Sequence, residues 1–273
     1  SIGGEPDIAQ YMQVLPGVVF TGDQGGQLYI RGGSPVQNKV LLDGMIVYNP
    51  FHSIGLFSVF DTDIIRNADI YTGGFGAEYG GRISSIMDVT TIDGNINEFH
   101  GNASLSTFGA KLNIEGPLKK PTKVGGSSIS YIASAKHSYL DESSKLFYNY
   151  IDSNGLPFGF TDVYGKLTFS GENGSKANIF GLNFSDRVNY GPVSNLNWNN
   201  AGVGGNFLLI PSGSPVLVEG NIAYSKYGIR LAEDNLQDRS SIIEGFNAGL
   251  GFTYFLGDDE VKYGIEIIGF STN

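Results

Sequence analysis

From residue 99 onward, apolar and polar residues alternate at every second position. One clear run places serine or lysine in most of the gaps between Ile129, Tyr131, Ala133, Ala135, His137 and Tyr139. The same period recurs in four later runs, which lie at Phe180–Phe184, Val216–Tyr224, Phe246–Tyr254 and Val261–Ile267. A period of two is that of a β-strand with one apolar and one polar face. We therefore predict about nine strands, with spans near 99–106, 109–118, 127–140, 161–170, 176–190, 200–210, 215–232, 242–256 and 260–272.

Two architectures fit such strands: a soluble sandwich or barrel whose apolar face points inward, and a transmembrane barrel whose apolar face points to lipid. The lengths of the connections distinguish them. The links "ENGSK", "PSGS" and "GDD" are short, and they alternate with longer stretches around 141–160, 191–199 and 233–241. Short turns at one end and long loops at the other are typical of outer-membrane barrels. The pattern favours a membrane barrel with its apolar face outward.

The first 96 residues follow a different pattern. Glu5-Pro6 opens a short amphipathic helix that Pro16-Gly17 ends, and a second short helix is predicted over 55–65. Short strands are predicted at 27–31, 39–42, 68–71 and 83–91, between glycine pairs at 25–26, 32–33, 73–74 and 80–81. We therefore predict a small α+β domain over residues 1–96, followed by antiparallel barrel strands over 97–273.

Composition removes several classes of function. The formal net charge of −10, with 17 scattered Lys and Arg among 273 residues, argues against a nucleic-acid partner. The chain has no cysteine, and its three histidines share no metal-binding spacing, so neither a metal site nor a cofactor is predicted. It lacks the motifs of a phosphate loop and of a nucleophile elbow, and we do not predict an enzyme.

Two ordered motifs in the first domain point to a known family. They read "LYIRGGSPVQNKVLLDGMIVYNPFH" and "IIRNADIYTGGFGAEYGGRISSIMDV", and "DIAQYMQVLPGV" precedes them. Together they resemble the plug domain of TonB-dependent outer-membrane receptors. The resemblance implies a 22-stranded barrel closed by an N-terminal plug in the outer membrane of a Gram-negative bacterium.

The resemblance also implies a function and partners. Receptors of this family import a scarce nutrient actively, and TonB of the inner-membrane energy complex drives the import. The expected cargo is a siderophore, cobalamin, a glycan or a peptide, and a surface lipoprotein is a further partner that the resemblance allows. An alternative is a receptor-like barrel that acts in signalling or in a surface or secretion complex without transport. A third is an extracellular β-sandwich enzyme or adhesin.

Site residues follow from the motifs. By the resemblance, Arg31 and Arg82 are expected to lock the plug to carboxylates of the barrel wall; the alternative is pairing with Glu78 or Asp69 inside the plug. The residues expected to shape turns are Gly32, Gly33, Asp43, Gly44, Gly73, Gly74, Gly80 and Gly81. The Asp43 carboxylate is expected to cap its own turn. The predicted ligand contacts at the plug apex are Tyr48, Asn49 and His52.

The number of strands is too small for a closed barrel of this family. Nine strands leave two bare edges, which lipid does not tolerate, whereas twenty-two strands need several hundred residues after the plug. We therefore expect this chain to be an N-terminal part of a longer receptor, with the TonB-binding segment outside it.

Overall fold

The computed structural model describes residues 7–21, 27–55, 57–147, 155–191, 193–234 and 236–273. In this part of the chain, nine long antiparallel strands form one sheet, the wall, in which sequence neighbours are also spatial neighbours. The preceding residues, 7–96, form a small N-terminal unit that packs against one face of the wall. No helix among the described residues is long and apolar enough to cross a membrane.

The N-terminal unit is built from short elements. Helix α1 (Ile8–Met12) precedes the antiparallel pair β1 (Val18–Thr21) and β2 (Gln27–Ile30). A four-stranded sheet in the order β4-β3-β8-β7 then forms from β3 (Asn38–Leu42), β4 (Met45–Ile46), β7 (Ile65–Tyr71) and β8 (Ser85–Thr91). Between β4 and β7 lie the two-residue strands β5 (Phe51–His52) and β6 (Phe57–Ser58). All four strands predicted for this region are present.

The second predicted helix is wrong. The segment 55–65 contains β6 and a short 3₁₀ turn, Thr62–Ile64, for which Asp61 is the N-cap. Phe57, Ser58, Val59 and Phe60 are all buried, and a surface helix would expose about half of four consecutive side chains. The predicted helix start at Glu5-Pro6 and the glycine pair at 25–26 lie outside the described residues.

The nine predicted wall strands are confirmed. They are β9 (His100–Leu105), β10 (Gly109–Lys119), β11 (Ser128–Ser138), β12 (Phe158–Ser170), β13 (Lys176–Asn189), β14 (Ser194–Leu209), β15 (Val216–Glu233), β16 (Arg239–Leu256) and β17 (Asp259–Thr272). Every pair of consecutive strands is hydrogen-bonded in antiparallel register. The region 141–160 is a true long connection, and it contains helix α2 (Leu140–Phe147).

The predicted alternation of connection lengths is wrong at two places. Strand β14 begins at Ser194, β15 ends at Glu233 and β16 begins at Arg239, so the strands extend into both 191–199 and 233–241. These strand ends are rich in asparagine and serine, which are typical of loops in a sequence. Here the backbone ladder continues through them, for example where Asn197 pairs with Arg230.

The orientation of the strand faces is as predicted for most of the wall. Ile222, Phe246 and Ile265 are exposed on the face away from the N-terminal unit, whereas Ser130 and Asn247 are buried against it. The apolar face therefore points outward, and the polar face points inward.

Strand β13 is an exception, and the prediction for its faces is wrong. Phe180, Leu182 and Phe184 are buried in one apolar cluster with Met45, Val59 and other residues of the N-terminal unit. Ile179 lies on the opposite face and is 55% exposed. The reason is local, because the N-terminal unit presents apolar side chains where β13 passes it.

A polar interface between the N-terminal unit and the wall

The turn between β3 and β4 is a buried contact point of the interface. Asp43 and Gly44 both have positive φ, 51° and 88°, and Leu42 pairs with Met45 across them. Such a two-residue turn requires left-handed backbone at both positions, which aspartate tolerates and glycine adopts freely. The Asp-Gly sequence thus places a tight hairpin tip against the wall.

The Asp43 carboxylate bonds outside its own turn, contrary to the expected capping role. It accepts hydrogen bonds from the Thr91 backbone N–H (3.0 Å), the Thr91 hydroxyl (2.7 Å) and the Tyr164 hydroxyl (2.5 Å). The Lys166 Nζ atom of β12 lies 3.5 Å from Asp43 and 3.4 Å from Asp93, and its side chain is 1% exposed. Buried charges need such partners. This cluster therefore joins the hairpin tip and the end of β8 to the wall.

Amide side chains of the wall hold the same tip through its main chain. Asn206 donates to the Asp43 carbonyl oxygen (2.9 Å), and Asn221 and Asn247 both donate to that of Gly44 (3.2 and 2.7 Å). These three asparagines come from the adjacent strands β14, β15 and β16. Met45 is fully buried beside them, in the space left by the missing side chain of Gly202.

Further ion pairs line the interface. Lys111 of β10 lies 2.7 Å from Asp63 and 3.2 Å from Asp61, and Lys39 lies 2.8 Å from Glu266 of β17.

Asp93 carries a third group of ionic contacts, with Arg66 (2.5 Å) and Lys176 (2.7 Å). Burial alone raises the pKa of Asp93, but the hydrogen bonds from Arg66 and Lys176 and the nearby Lys166 charge outweigh it and lower the pKa to about 2. This contribution to stability is present above the usual aspartate pKa and is lost as the pH falls through about 2.

His52 lies in the interface and not on an open surface. The residue is 1% exposed; its Nε2 atom is 2.8 Å from Asp162 of β12, and its Nδ1 atom is 2.9 Å from Asp186 of β13. Its ring stacks on Phe160 at a centroid distance of 4.2 Å. The expected ligand contact at His52 does not fit this burial, because both ring nitrogens already bond to the wall.

The other two predicted ligand contacts, Tyr48 and Asn49, are half-buried against the wall. Asn49 accepts a hydrogen bond from Asn200 at its carbonyl oxygen (2.7 Å), and its side chain lies 3.5 Å from the Tyr227 hydroxyl. Burial raises the pKa of Tyr48.

The two predicted locking arginines lie within the N-terminal unit. Arg82 donates to the carbonyl oxygens of Asn38 (3.3 Å) and Gly81 (2.9 Å). Arg31 has a φ of 48°, and its guanidinium group lies beside Gly73. In the described part of the chain, neither arginine is paired with a wall carboxylate, nor with Glu78 or Asp69.

The predicted turn glycines occupy two kinds of position. Positive φ angles occur at Gly32, Gly73, Gly74 and Gly81. A side chain at Gly33 would collide with Ser84, and Gly80 approaches Glu266 of the wall.

The charge pattern of the interface was missed by reasoning from the sequence. The plug motifs drew attention to arginines of the N-terminal unit, but the buried pairs described here mostly join its aspartates to lysines of the wall. The strand sequences contained a signal from which the buried lysines could have been predicted. Lys111 and Lys166 both occupy the polar face of a period-two run, where an unpaired charge facing the interior is costly.

Comparisons with known proteins agree with this architecture. Residues 3–85 match the family model described as the TonB-dependent receptor plug domain. A search of curated proteins finds no match.

Several solved structures share the fold. The FrpB iron transporter from Neisseria meningitidis is 15% identical with a TM-score of 0.67, over 95% of this chain and 44% of its own. The copper transporter OprC is 12% identical with a TM-score of 0.71, over 97% and 44%. The hemophore receptor HasR of Serratia marcescens, solved with its hemophore HasA and heme, is 13% identical with a TM-score of 0.69, over 98% and 44%. The chain thus spans less than half the length of these three proteins.

A small α+β unit docked on the polar face of a sequential antiparallel wall defines a class, the β-barrel receptors that carry an internal plug. The N-terminal unit is the plug of this class. Residues 3–85 thus carry the plug domain of TonB-dependent receptors, and the nine wall strands that follow share the fold of the barrels in these solved structures.

Proposed function

We propose that this protein acts as an outer-membrane transporter that imports a nutrient ligand under the control of TonB. Residues 1–96 form the plug, and residues 97–273 begin the barrel. The outward apolar residues of the wall, such as Ile222 and Ile265, contact the lipid of the outer membrane. The partner that supplies energy is TonB of the inner membrane. The ligand is a siderophore, cobalamin, a glycan or a peptide; the structural relatives named above include iron, copper and hemophore receptors.

One observation carries this proposal: each of the nine wall strands makes a polar side-chain contact with the plug. In strand order, the contacting residues are Asn102, Lys111, Ser134, Lys166, Asp186, Asn206, Asn221, Asn247 and Glu266. Each such contact contributes about 0.5–3 kcal/mol, because water replaces the partner when the contact breaks. A plug held in this way is stable at rest and separates from the wall contact by contact under a pull.

The proposal predicts uptake that depends on TonB. In a strain that lacks the receptor, the full-length protein is expected to restore growth on, and uptake of, one nutrient from the candidate classes. The same strain without TonB is expected to bind that nutrient at the surface but to lose at least about 90% of its uptake, since diffusion past a seated plug is slow. The measurement is accumulation of labelled nutrient in both strains. Binding without any TonB-dependent accumulation contradicts import and favours the signalling or surface-complex alternative.

A second prediction concerns the role of Arg31 and Arg82 in sealing the barrel with the plug. Replacing Arg82 by alanine removes two hydrogen bonds from a charged donor, at Asn38 and Gly81, and each is worth about 1.5–3 kcal/mol. We expect Arg31→Ala and Arg82→Ala to loosen the plug and to raise passive leakage of small solutes by about tenfold or more. Efflux of a small solute from proteoliposomes measures this, with Arg82→Lys as a variant that keeps the charge. Leakage equal to that of the unmodified receptor counts against a sealing role.

A further inference from the structure

His52 has an unusual environment for a histidine in a polar interface. Its two ring nitrogens face two carboxylates on adjacent strands, Asp162 on β12 and Asp186 on β13, at 2.8 and 2.9 Å. A neutral imidazole has one N–H and one lone pair, so one of its nitrogens would then oppose a carboxylate oxygen without a proton between them. Only the imidazolium form donates to both. The geometry therefore requires a proton in each of the two contacts, and an imidazolium ring between two carboxylates supplies both.

The surrounding charges balance when His52 is protonated and both carboxylates are ionised. Lys136 of β11 interacts electrostatically with Asp162, so two cations face two buried carboxylates. Tyr227 of β15 is the other titratable group near Asp186. The Asp162 and Asp186 Oδ1 atoms have no hydrogen-bond partner among the described residues. Loss of the His52 proton therefore leaves one uncompensated negative charge in a buried site, which is strongly unfavourable.

The same carboxylates hold the backbone of the plug next to His52. The Asp186 Oδ2 atom also accepts the Ser53 backbone N–H at 2.7 Å. The Trp198 indole N–H donates to the Phe51 carbonyl oxygen at 3.4 Å. Three consecutive plug residues, Phe51 to Ser53, are thus attached to β12, β13 and β14 around the imidazolium ring.

We propose that His52, Asp162 and Asp186 form a proton-dependent latch that holds the 51–53 segment of the plug on the wall. The latch is closed while His52 carries its proton, and it opens when that proton is lost. Its role in import rests on the proposed function, because only a transporter needs the plug to leave the wall. The contact between plug and wall at His52 exists independently of that function.

The direction and size of the pH dependence follow from the pKa of His52. Burial lowers this pKa, but the charges and hydrogen bonds of Asp162 and Asp186 outweigh the burial and raise it from 6.5 to about 9. A raised pKa means that the latch contributes fully below about pH 6.5 and loses its contribution as the pH rises through about 9. The shift corresponds to a change of up to roughly 300-fold in the equilibrium between latched and unlatched segments.

The test uses the purified full-length receptor, without TonB or nutrient. Its result therefore does not depend on whether the protein imports a nutrient. The first measurement is the NMR titration of the unmodified protein, in which His52 is assigned by comparison with His52→Gln. We expect its ring signal to titrate near pH 9. Titration near the ordinary value of 6.5 overturns the proposal, and this measurement needs no variant to function.

The second measurement is hydrogen exchange of the amides of Phe51 to Ser53 at pH 7 and about pH 10, corrected for intrinsic exchange. In the unmodified receptor, protection is expected to fall by about 100-fold over this range. His52→Gln is expected to show low protection at both pH values, because a neutral amide cannot satisfy two carboxylates. The matched control is His137→Gln, which replaces an exposed histidine hydrogen-bonded to Thr161 and is expected to behave as the unmodified receptor. Protection that is independent of pH, or equal in both variants, overturns the proposal.

Discussion

Replacing Asp43 by asparagine is expected to destabilise the docked plug by about 3 kcal/mol, the low end of the cost of breaking a buried ion pair from one side. Asparagine tolerates the positive φ of 51° at this position, so the backbone of the turn is retained. What is lost is the negative charge beside Lys166, which is 1% exposed and, among the residues that the structure describes, keeps only Asp93 as an anionic partner. Amide exchange in the segments 38–46 and 85–91 of the full-length receptor is expected to accelerate by roughly 150-fold.

Two further variants show whether loss of the Asp43 charge causes the expected destabilisation. Asp63→Asn removes a carboxylate that also pairs with a wall lysine, Lys111 at 2.7 Å, but whose side chain is 38% exposed. Its expected cost is below about 1 kcal/mol, because water screens the pair and takes its place. Lys166→Met in the Asp43→Asn background removes the stranded cation and is expected to recover part of the lost protection. A double variant that is less protected than Asp43→Asn alone would refute this explanation.

Under the proposed function, a disulfide between positions 45 and 202 is expected to abolish import while leaving ligand binding intact. Met45 fills the space beside Gly202 on β14, and a Cβ atom built at Gly202 would overlap the Met45 sulfur atom. The end of the Met45 side chain thus reaches the Gly202 position, which makes these two residues the place to introduce a cysteine pair between hairpin tip and wall. Because the 273 residues contain no cysteine, no other thiol of this segment competes. Oxidation covalently joins the hairpin tip to the wall, and uptake is expected to fall to a few per cent of its value in the reduced protein.

The same double variant under reducing conditions is the first control, because it carries the same two substitutions without the bond. The second control links wall to wall: Ser185→Cys with Asn199→Cys, two opposed positions on the outward side of β13 and β14, is expected to form a disulfide and to import normally. Normal uptake by the fully oxidised 45–202 variant would mean that the hairpin tip stays on the wall during import.

The strands and the Asp43-Gly44 hairpin were predictable because strand period and turn chemistry are local properties. The runs at Ile129–Tyr139 and Phe246–Tyr254 show in a few residues that a strand has one apolar face, and Asp43-Gly44 shows its hairpin in two. The period does not show what each face meets. Phe180 and Phe184 have the same spacing as lipid-facing residues, yet they bury against Met45 and its neighbours. Which face of β13 is buried depends on plug residues that lie more than 100 positions earlier in the chain.

The interface was less accessible to sequence reasoning for a similar reason. Asp43 pairs with Lys166, and His52 with Asp186, across separations of 123 and 134 residues. A single sequence shows that each charged residue exists, and the strand parity shows that Lys166 faces inward, but the partner depends on how the plug sits. The family resemblance directed attention to Arg31 and Arg82, whose contacts in the described residues stay inside the plug.

In the proposed import cycle, the three asparagines that hold the hairpin tip have a consequence for the return of the plug. Asn206, Asn221 and Asn247 recognise main-chain oxygens of Asp43 and Gly44, so none of the three bonds involves an ionisable donor. Salt screens attraction between exposed charges, but it has little effect on bonds between amides and carbonyls. Ionic pairs determine how firmly the plug is held in a given medium, whereas these amides specify its resting position equally in dilute and in saline surroundings.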